Sequence, residues 1–141
     1  MQSPSHTTLI SKKRLWAGRI ISGLAVLFLL FDGVIHLTTI PPVVEGFKRL
    51  GYQPSIGVGL GILELLCLAL YVIPRTSVLG AILLTGYLGG AVATHLRVGN
   101  PLISHVLFPV YIGALIWGGL VLCDKRLEVL IPASRSATRT A

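Results

Sequence analysis

The sequence predicts an all-α integral membrane protein, a four-helix bundle. Three observations predict it. Of the 141 residues, 53% are hydrophobic and only 12% are charged, against about 25% charged in an ordinary soluble domain. The apolar residues fall into four runs long enough to cross a bilayer. The basic residues lie mostly outside those runs, where membrane topology needs them. The net charge of +7 therefore reads as a topology signal and not as a nucleic-acid surface. The lipid bilayer is the expected partner, and no nucleic acid is.

Residues 1–14 are polar and carry Lys12, Lys13 and Arg14 together. They read as a basic cytoplasmic tail. The bundle is expected over 15–123. Its first span, 15–37, would be about 34 Å long at 1.5 Å per residue. A basic stretch before an apolar run also resembles a secretory signal. This run is long, lacks a clean small-x-small cleavage site and contains Asp32, so it reads as a retained span.

The loop "TTIPPVVEGFKRLGYQP" follows. Pro41 and Pro42 cannot continue a helix, and a short surface helix is expected around 43–50. The second span is 55–73, closed by Pro74. The third is 78–96, ended by the turn chemistry of Gly99, Asn100 and Pro101. The fourth is 105–123, with Pro109 expected to kink it and widen its outer mouth. Residues 124–141 read as a second cytoplasmic tail.

Four spans put both termini on one side. That side would hold nine of the twelve basic residues, leaving Lys48, Arg49 and Arg97 opposite. Both termini are therefore expected in the cytoplasm, in a multi-pass protein of the cell inner membrane. Gly57 and Gly61 form a G-x-x-x-G, as do Gly86 and Gly90. This spacing lets transmembrane helices approach closely. Packing within the bundle is the first expectation and a homodimer the alternative. Cys67 and Cys123 have no C-x-x-C spacing and read as small buried hydrophobes.

The ionisable residues converge. Asp32 and His36 are four apart in the outer third of span one, hence on one helix face. His95 lies near the outer end of span three, Arg97 just beyond it, and His105 in the first turn of span four. Glu64 sits about 13 Å deep in span two. A charge there costs several kcal/mol, so Glu64 should face the interior and be protonated, hydrogen-bonded or paired. Gly57 and Gly61 share roughly its face, so a neighbouring helix can supply the partner. Thr85, Tyr87, Thr94 and Tyr111 are hydroxyls available to the same column.

Three readings of this column stand. The groups satisfy one another and fix the bundle. Or they line a pocket for a lipophilic ligand, a quinone for example, or a proton path. Or His36, His95, His105 and Asp32 ligate a metal, although no tight motif fixes such a set, and none is assigned. His95 is expected to point inward towards Asp32, His36 or Glu64, and Arg97, about 200° away around the helix, to reach the interface.

These residues carry a resemblance. "LGILELL" with Glu64, "GAVATHLRVGNP" with His95 and Arg97, and the outer loop ending "RLGYQPS" resemble the DoxX-like family of small four-span bacterial membrane proteins. The likeness covers roughly residues 17–122. It implies a bundle in the cytoplasmic membrane and a polar site at Glu64, His95 and Arg97. Asp32, His36 and His105 join the ligand-binding set on depth alone. Some relatives are linked to thiosulfate:quinone oxidoreductase or other redox systems. The cysteine pair such thiol chemistry needs is absent here.

No cofactor fingerprint for a flavin, dinucleotide or haem is present either, so whether the chain is an enzyme stays open. The expected role is an accessory or quinone-binding subunit, with a redox partner protein. A membrane oxidoreductase component and a purely structural bundle are the alternatives.

Overall fold

The computed structural model describes residues 11–124, 126 and 127. Both predicted tails therefore lie largely outside the described residues. Five α-helices follow in order: α1 (Lys12–His36), α2 (Pro41–Arg49), α3 (Pro54–Val72), α4 (Ser77–Arg97) and α5 (Phe108–Cys123). Among the described residues there is no strand. Four segments are long and apolar enough to cross a membrane: α1, α3, α4 and Leu102–Cys123. The chain is an all-α, multi-pass membrane bundle.

The helix starts follow local chemistry. α1 begins three residues before the predicted span, so Lys12, Lys13 and Arg14 belong to the helix and not to a tail. Lys and Arg are good helix formers, and nothing at these positions breaks the helix. α2 and α3 each begin on proline. The missing N–H costs nothing in a first turn, where it would have no partner.

Span four departs from expectation. Residues Leu102–Val106 form a π-helical turn, and α5 begins only at Phe108. Val106 N–H donates to Pro101 O and Leu107 N–H to Leu102 O, both five residues back. Pro109 therefore does not kink a continuous helix. It occupies the first turn of a new one, where its ring meets no preceding α-helical turn.

Two glycines end helices in the left-handed region, Gly51 at φ 77° and Gly99 at φ 71°. Each completes the same cap. Tyr52 N–H reaches Phe47 O and Gly51 N–H reaches Lys48 O; Asn100 N–H reaches His95 O and Gly99 N–H reaches Leu96 O. These caps aim Tyr52 and Asn100 back at the bundle.

α1 packs on α3 and α5, and α4 packs on the same two helices, closing an up-down-up-down ring. The core runs along its axis through Ala25, Leu29, Leu68, Leu84, Ile116 and Leu120. The outside is equally apolar. Trp16, Leu27, Phe31, Leu66 and Ile103 are all at least 60% exposed. A water-soluble monomer rarely shows so much apolar surface; lipid covers it at no cost.

The two ends of the ring differ. At the end carrying Lys12 and Cys123, helices touch through glycine. A Cβ on Gly18 would meet Cys123 Sγ at 2.7 Å, one on Gly119 would overlap Ser22 Oγ, and one on Gly80 would overlap the backbone N of Tyr71. Tyr71 then ties three helices: its hydroxyl lies 2.9 Å from Ser22 Oγ on α1 and donates to Ile116 O on α5 at 3.0 Å. Cys67 is buried, but Cys123 is only half-buried, close to Leu15 O.

Gly57 and Gly61 pack as their spacing predicts: a Cβ at 57 would meet the Phe47 ring, and one at 61 would meet Gly33 O at 2.8 Å and His36 Cβ at 2.9 Å. Gly86 and Gly90 do not. Nothing lies within 4 Å of a Cβ at either position, because they line a cavity and not a helix contact.

Candidate functional site

The cavity lies at the end of the ring remote from Lys12 and Cys123. It has a volume of about 530 Å³ and takes walls from all five helices. Phe28, Leu29, Leu60, Leu63, Phe108 and Ile112 make it mostly apolar. α2 covers part of it through Val43, Gly46 and Phe47. Glycine at 86 and 90 leaves room that side chains would fill.

Its polar groups form two sets. The inner set joins α1, α3 and α4. Glu64 is fully buried, the sole charged side chain so buried among the described residues. The close contact of α1 at Gly33 and Gly61 brings His36 to it: His36 Nδ1 lies 3.4 Å from Glu64 Oε2. His36 Nδ1 has no hydrogen-bond partner among the described residues, and neither has the other carboxyl oxygen, Glu64 Oε1. His36 Nδ1 is also 3.8 Å from Asp32 Oδ2, one turn back on the same face. Tyr87 on α4 donates its hydroxyl to Glu64 Oε2 at 3.0 Å. The His36 ring rests edge-on against Phe47, which holds it from the outer side.

The outer set comes from the end of α4 and its neighbours. The cap at Gly99 returns Asn100 over the helix end, and its Nδ2 lies 2.7 Å from His95 Nδ1. The His95 ring stands 5.8 Å from that of His105, edge to face. His105 is exposed and pairs with Ser104 at 2.8 Å. Tyr52 and Thr94 share a hydrogen bond of 2.9 Å. Arg97 donates to Leu50 O at 2.6 Å and lies over the Tyr52 ring. Leu50 caps α2, so this cation meets the negative end of that helix.

The single column read from the sequence is thus two groups. Asp32, His36 and Glu64 come together. His95 lines the same cavity, but its polar partner is Asn100 and its ring neighbour His105, not the inner set. His105, expected in the first turn of the fourth span, lies in the π-helical turn before α5. Arg97 does lie away from His95, clamped on the α2–α3 loop.

Tyr87 is the group the sequence ranked too low. It sits 23 residues from Glu64 in the chain, and nothing but the antiparallel pairing of α3 and α4 aligns them. Of the other hydroxyls, Thr85 bonds its own Ala81 O and accepts from Trp117, while Tyr111 is exposed.

The arrangement can hold an apolar molecule between polar groups of α1 on one side and of α4 on the other. Glu64 Oε1 and His36 Nδ1 lack hydrogen-bond partners among the described residues, so the inner set can also take a cation or a proton.

The model of the DoxX-like family matches residues 20–119, a stretch that contains every residue of both polar sets. No curated protein and no solved structure matches the chain.

Proposed function

The chain belongs to the DoxX-like family, and on that premise we propose that its cavity binds a lipophilic, quinone-like molecule as an accessory subunit. One observation carries this reading. The 530 Å³ cavity falls in the size range of small-molecule sites, about 300–1,000 Å³, and combines apolar walls with few convergent polar groups. Asp32 and His36 face it from α1, and Thr94 and His95 face it from α4. A flat ring with oxygen at both edges meets polar groups at each, while Phe28 and Phe108, whose rings pack edge to face, flank its body. An isoprenoid tail has lipid within reach.

In this reading the chain presents the ligand to a redox partner protein and carries no electron-transfer group of its own. Both termini lie in the cytoplasm and the bundle sits in the cytoplasmic membrane. The distribution of Lys and Arg supports that orientation. Reporter fusions after Ala141 and in the loop at Lys48 test it, and a periplasmic signal at Ala141 overturns it.

The ligand is tested by mass spectrometry of molecules that co-purify in mild detergent. Gly90→Leu is the informative variant. Its side chain enters the cavity without meeting a wall within 4 Å of Cβ and spares every polar group. The wild type should retain a quinone and Gly90→Leu should lose it. Equal retention of all lipophilic species by both proteins rejects the site.

A further inference from the structure

The inner polar set has a chemistry that a lipophilic ligand does not explain. We infer that Asp32, His36 and Glu64 form a binding site for a divalent cation of the zinc class. Asp32 and His36 also face the proposed quinone pocket, but the inference does not rest on that reading.

Four observations carry it. First, one ligand atom from each of the three residues lies within 4.8 Å of the others. The His36–Glu64 and His36–Asp32 separations are 3.4 and 3.8 Å. Two donors on a tetrahedral zinc with bonds of about 2.0–2.1 Å stand about 3.4 Å apart. Rotation of Asp32, whose side chain is 36% exposed, closes the remaining gap.

Second, two of the three ligands hold buried atoms with no hydrogen-bond partner among the described residues, Glu64 Oε1 and His36 Nδ1. Glu64 has no exposed surface at all. Such atoms strand their desolvation cost unless something positive approaches them.

Third, the donor set fits. Two carboxyl groups and one imidazole converge in a low-dielectric bundle, where a divalent cation can offset the charge of the carboxylates that bind it. Fourth, the surroundings resemble those of a ligating carboxylate. Tyr87 donates to Glu64 Oε2, the kind of outer hydrogen bond that orients a ligand and tunes its basicity.

The donor set selects the cation. One imidazole and two carboxylates suit zinc and its neighbours. Calcium wants six to eight oxygens, which three side chains do not supply. Three protein ligands leave a further position open, and Asp32 and His36 turn it towards the cavity. The set differs from one built on His95 and His105, which stand with each other and with Asn100.

The test uses the full chain in mild detergent, freed of metal by chelation and dialysed against Zn²⁺. The wild type should hold about one zinc per chain. Co²⁺ in its place should give the visible absorption of a low-symmetry site. Glu64→Gln and Asp32→Asn keep size and hydrogen-bonding capacity but lose charge, and each should weaken zinc binding at least about tenfold. Tyr87→Phe removes an outer hydrogen bond and no ligand, and should weaken zinc binding less than either of these variants does. Thermal unfolding of the metal-free variants confirms that they are folded.

Three results overturn the assignment. The folded wild type binds no zinc. Or Glu64→Gln and Asp32→Asn bind it as the wild type does, in which case a proton neutralises the cluster. Or zinc is lost in a His95→Ala/His105→Ala double variant and kept in Glu64→Gln. Gly90→Leu should still bind zinc, so loss of quinone in that variant bears on the cavity alone.

Discussion

Glycine does opposite things at the two ends of α4. At the end with Lys12 and Cys123, Gly18, Gly80 and Gly119 let backbones touch, and any Cβ there would collide. At the cavity end, Gly86 and Gly90 leave space that nothing occupies within 4 Å. The residue type is the same and so is the helix, for Gly80, Gly86 and Gly90 all belong to α4. What differs is the neighbour. Near Gly80, α3 turns into α4 through Pro74, so the two backbones must lie close. Gly86 and Gly90 lie on the cavity wall instead, where no neighbouring helix comes within 4 Å of a Cβ. One end is closed by backbone contact; the other keeps a cavity of about 530 Å³.

The comparison breaks most sharply by adding the same side chain at both ends. Gly80→Val drives a branched side chain into the backbone of Tyr71, which cannot move aside as a rotamer can. Overpacking commonly costs about 1–3 kcal/mol, occasionally more. A backbone collision belongs at the top of that range or beyond it. Gly90→Val should fold as the wild type does. Unfolding by heat or SDS in detergent measures both. Equal loss in the two variants would mean that the cavity end is as tightly built as the other.

Glu64 lies between the two ends and tests which of them it serves. Glu64→Ala strands the Tyr87 hydroxyl and leaves a hole beside His36, and should cost about 1–3 kcal/mol. Glu64→Gln keeps an acceptor for Tyr87 and should cost much less. If both variants are neutral, Glu64 contributes nothing to the bundle and its burial has only a ligand to explain it. If Gln is as damaging as Ala, the charge itself is structural.

These contrasts also show what the sequence could reveal. Spans were legible because hydrocarbon demands long apolar runs, and proline and glycine mark their ends. The burial of Glu64 was legible because a carboxyl so far inside an apolar run must turn away from lipid. The Asp32–His36 pair was legible because four residues make about one turn. The contact at Gly61 was legible because its spacing to Gly57 has a known geometric use.

Other features depended on distance between helices, which no local pattern encodes. The spacing of Gly86 and Gly90 matches that of Gly57 and Gly61, yet one pair meets a helix and the other a cavity. Tyr71 with Ser22 and Ile116, and Tyr87 with Glu64, are meetings across helices. The partnership of His95 with Asn100 was local, five residues apart. It was missed because the cap at Gly99, not the helix period, turns Asn100 back.

Two tyrosines sharpen the contrast on a finer scale. Tyr71 bonds Ser22 and Ile116 O in the closed end. Tyr71→Phe leaves a buried carbonyl and a hydroxyl without it, and should cost about 1 kcal/mol. Ser22→Ala in the same background should add little, because the two share one bond. Full additivity in that double-mutant cycle would dissolve the link between α1 and α3 at this point.

Tyr52→Phe should have the smallest effect on stability. Its hydroxyl bonds Thr94 at 2.9 Å, but both residues are only half-buried, so water can replace the lost partner. The ring itself stays, and with it the contact under Arg97. The change in unfolding free energy should therefore lie within about 0.5 kcal/mol, as for most partly exposed sites. Quinone retention is a separate readout. Tyr52 and Thr94 both line the cavity, and removing the hydroxyl frees Thr94 Oγ1 to turn towards a ligand or away from it. A shift in retention at constant stability locates the ligand at the outer set. If Tyr52→Phe instead costs as much as Tyr71→Phe, the cavity end is held by its own rigid network, and the division between a fixed end and an open one is wrong.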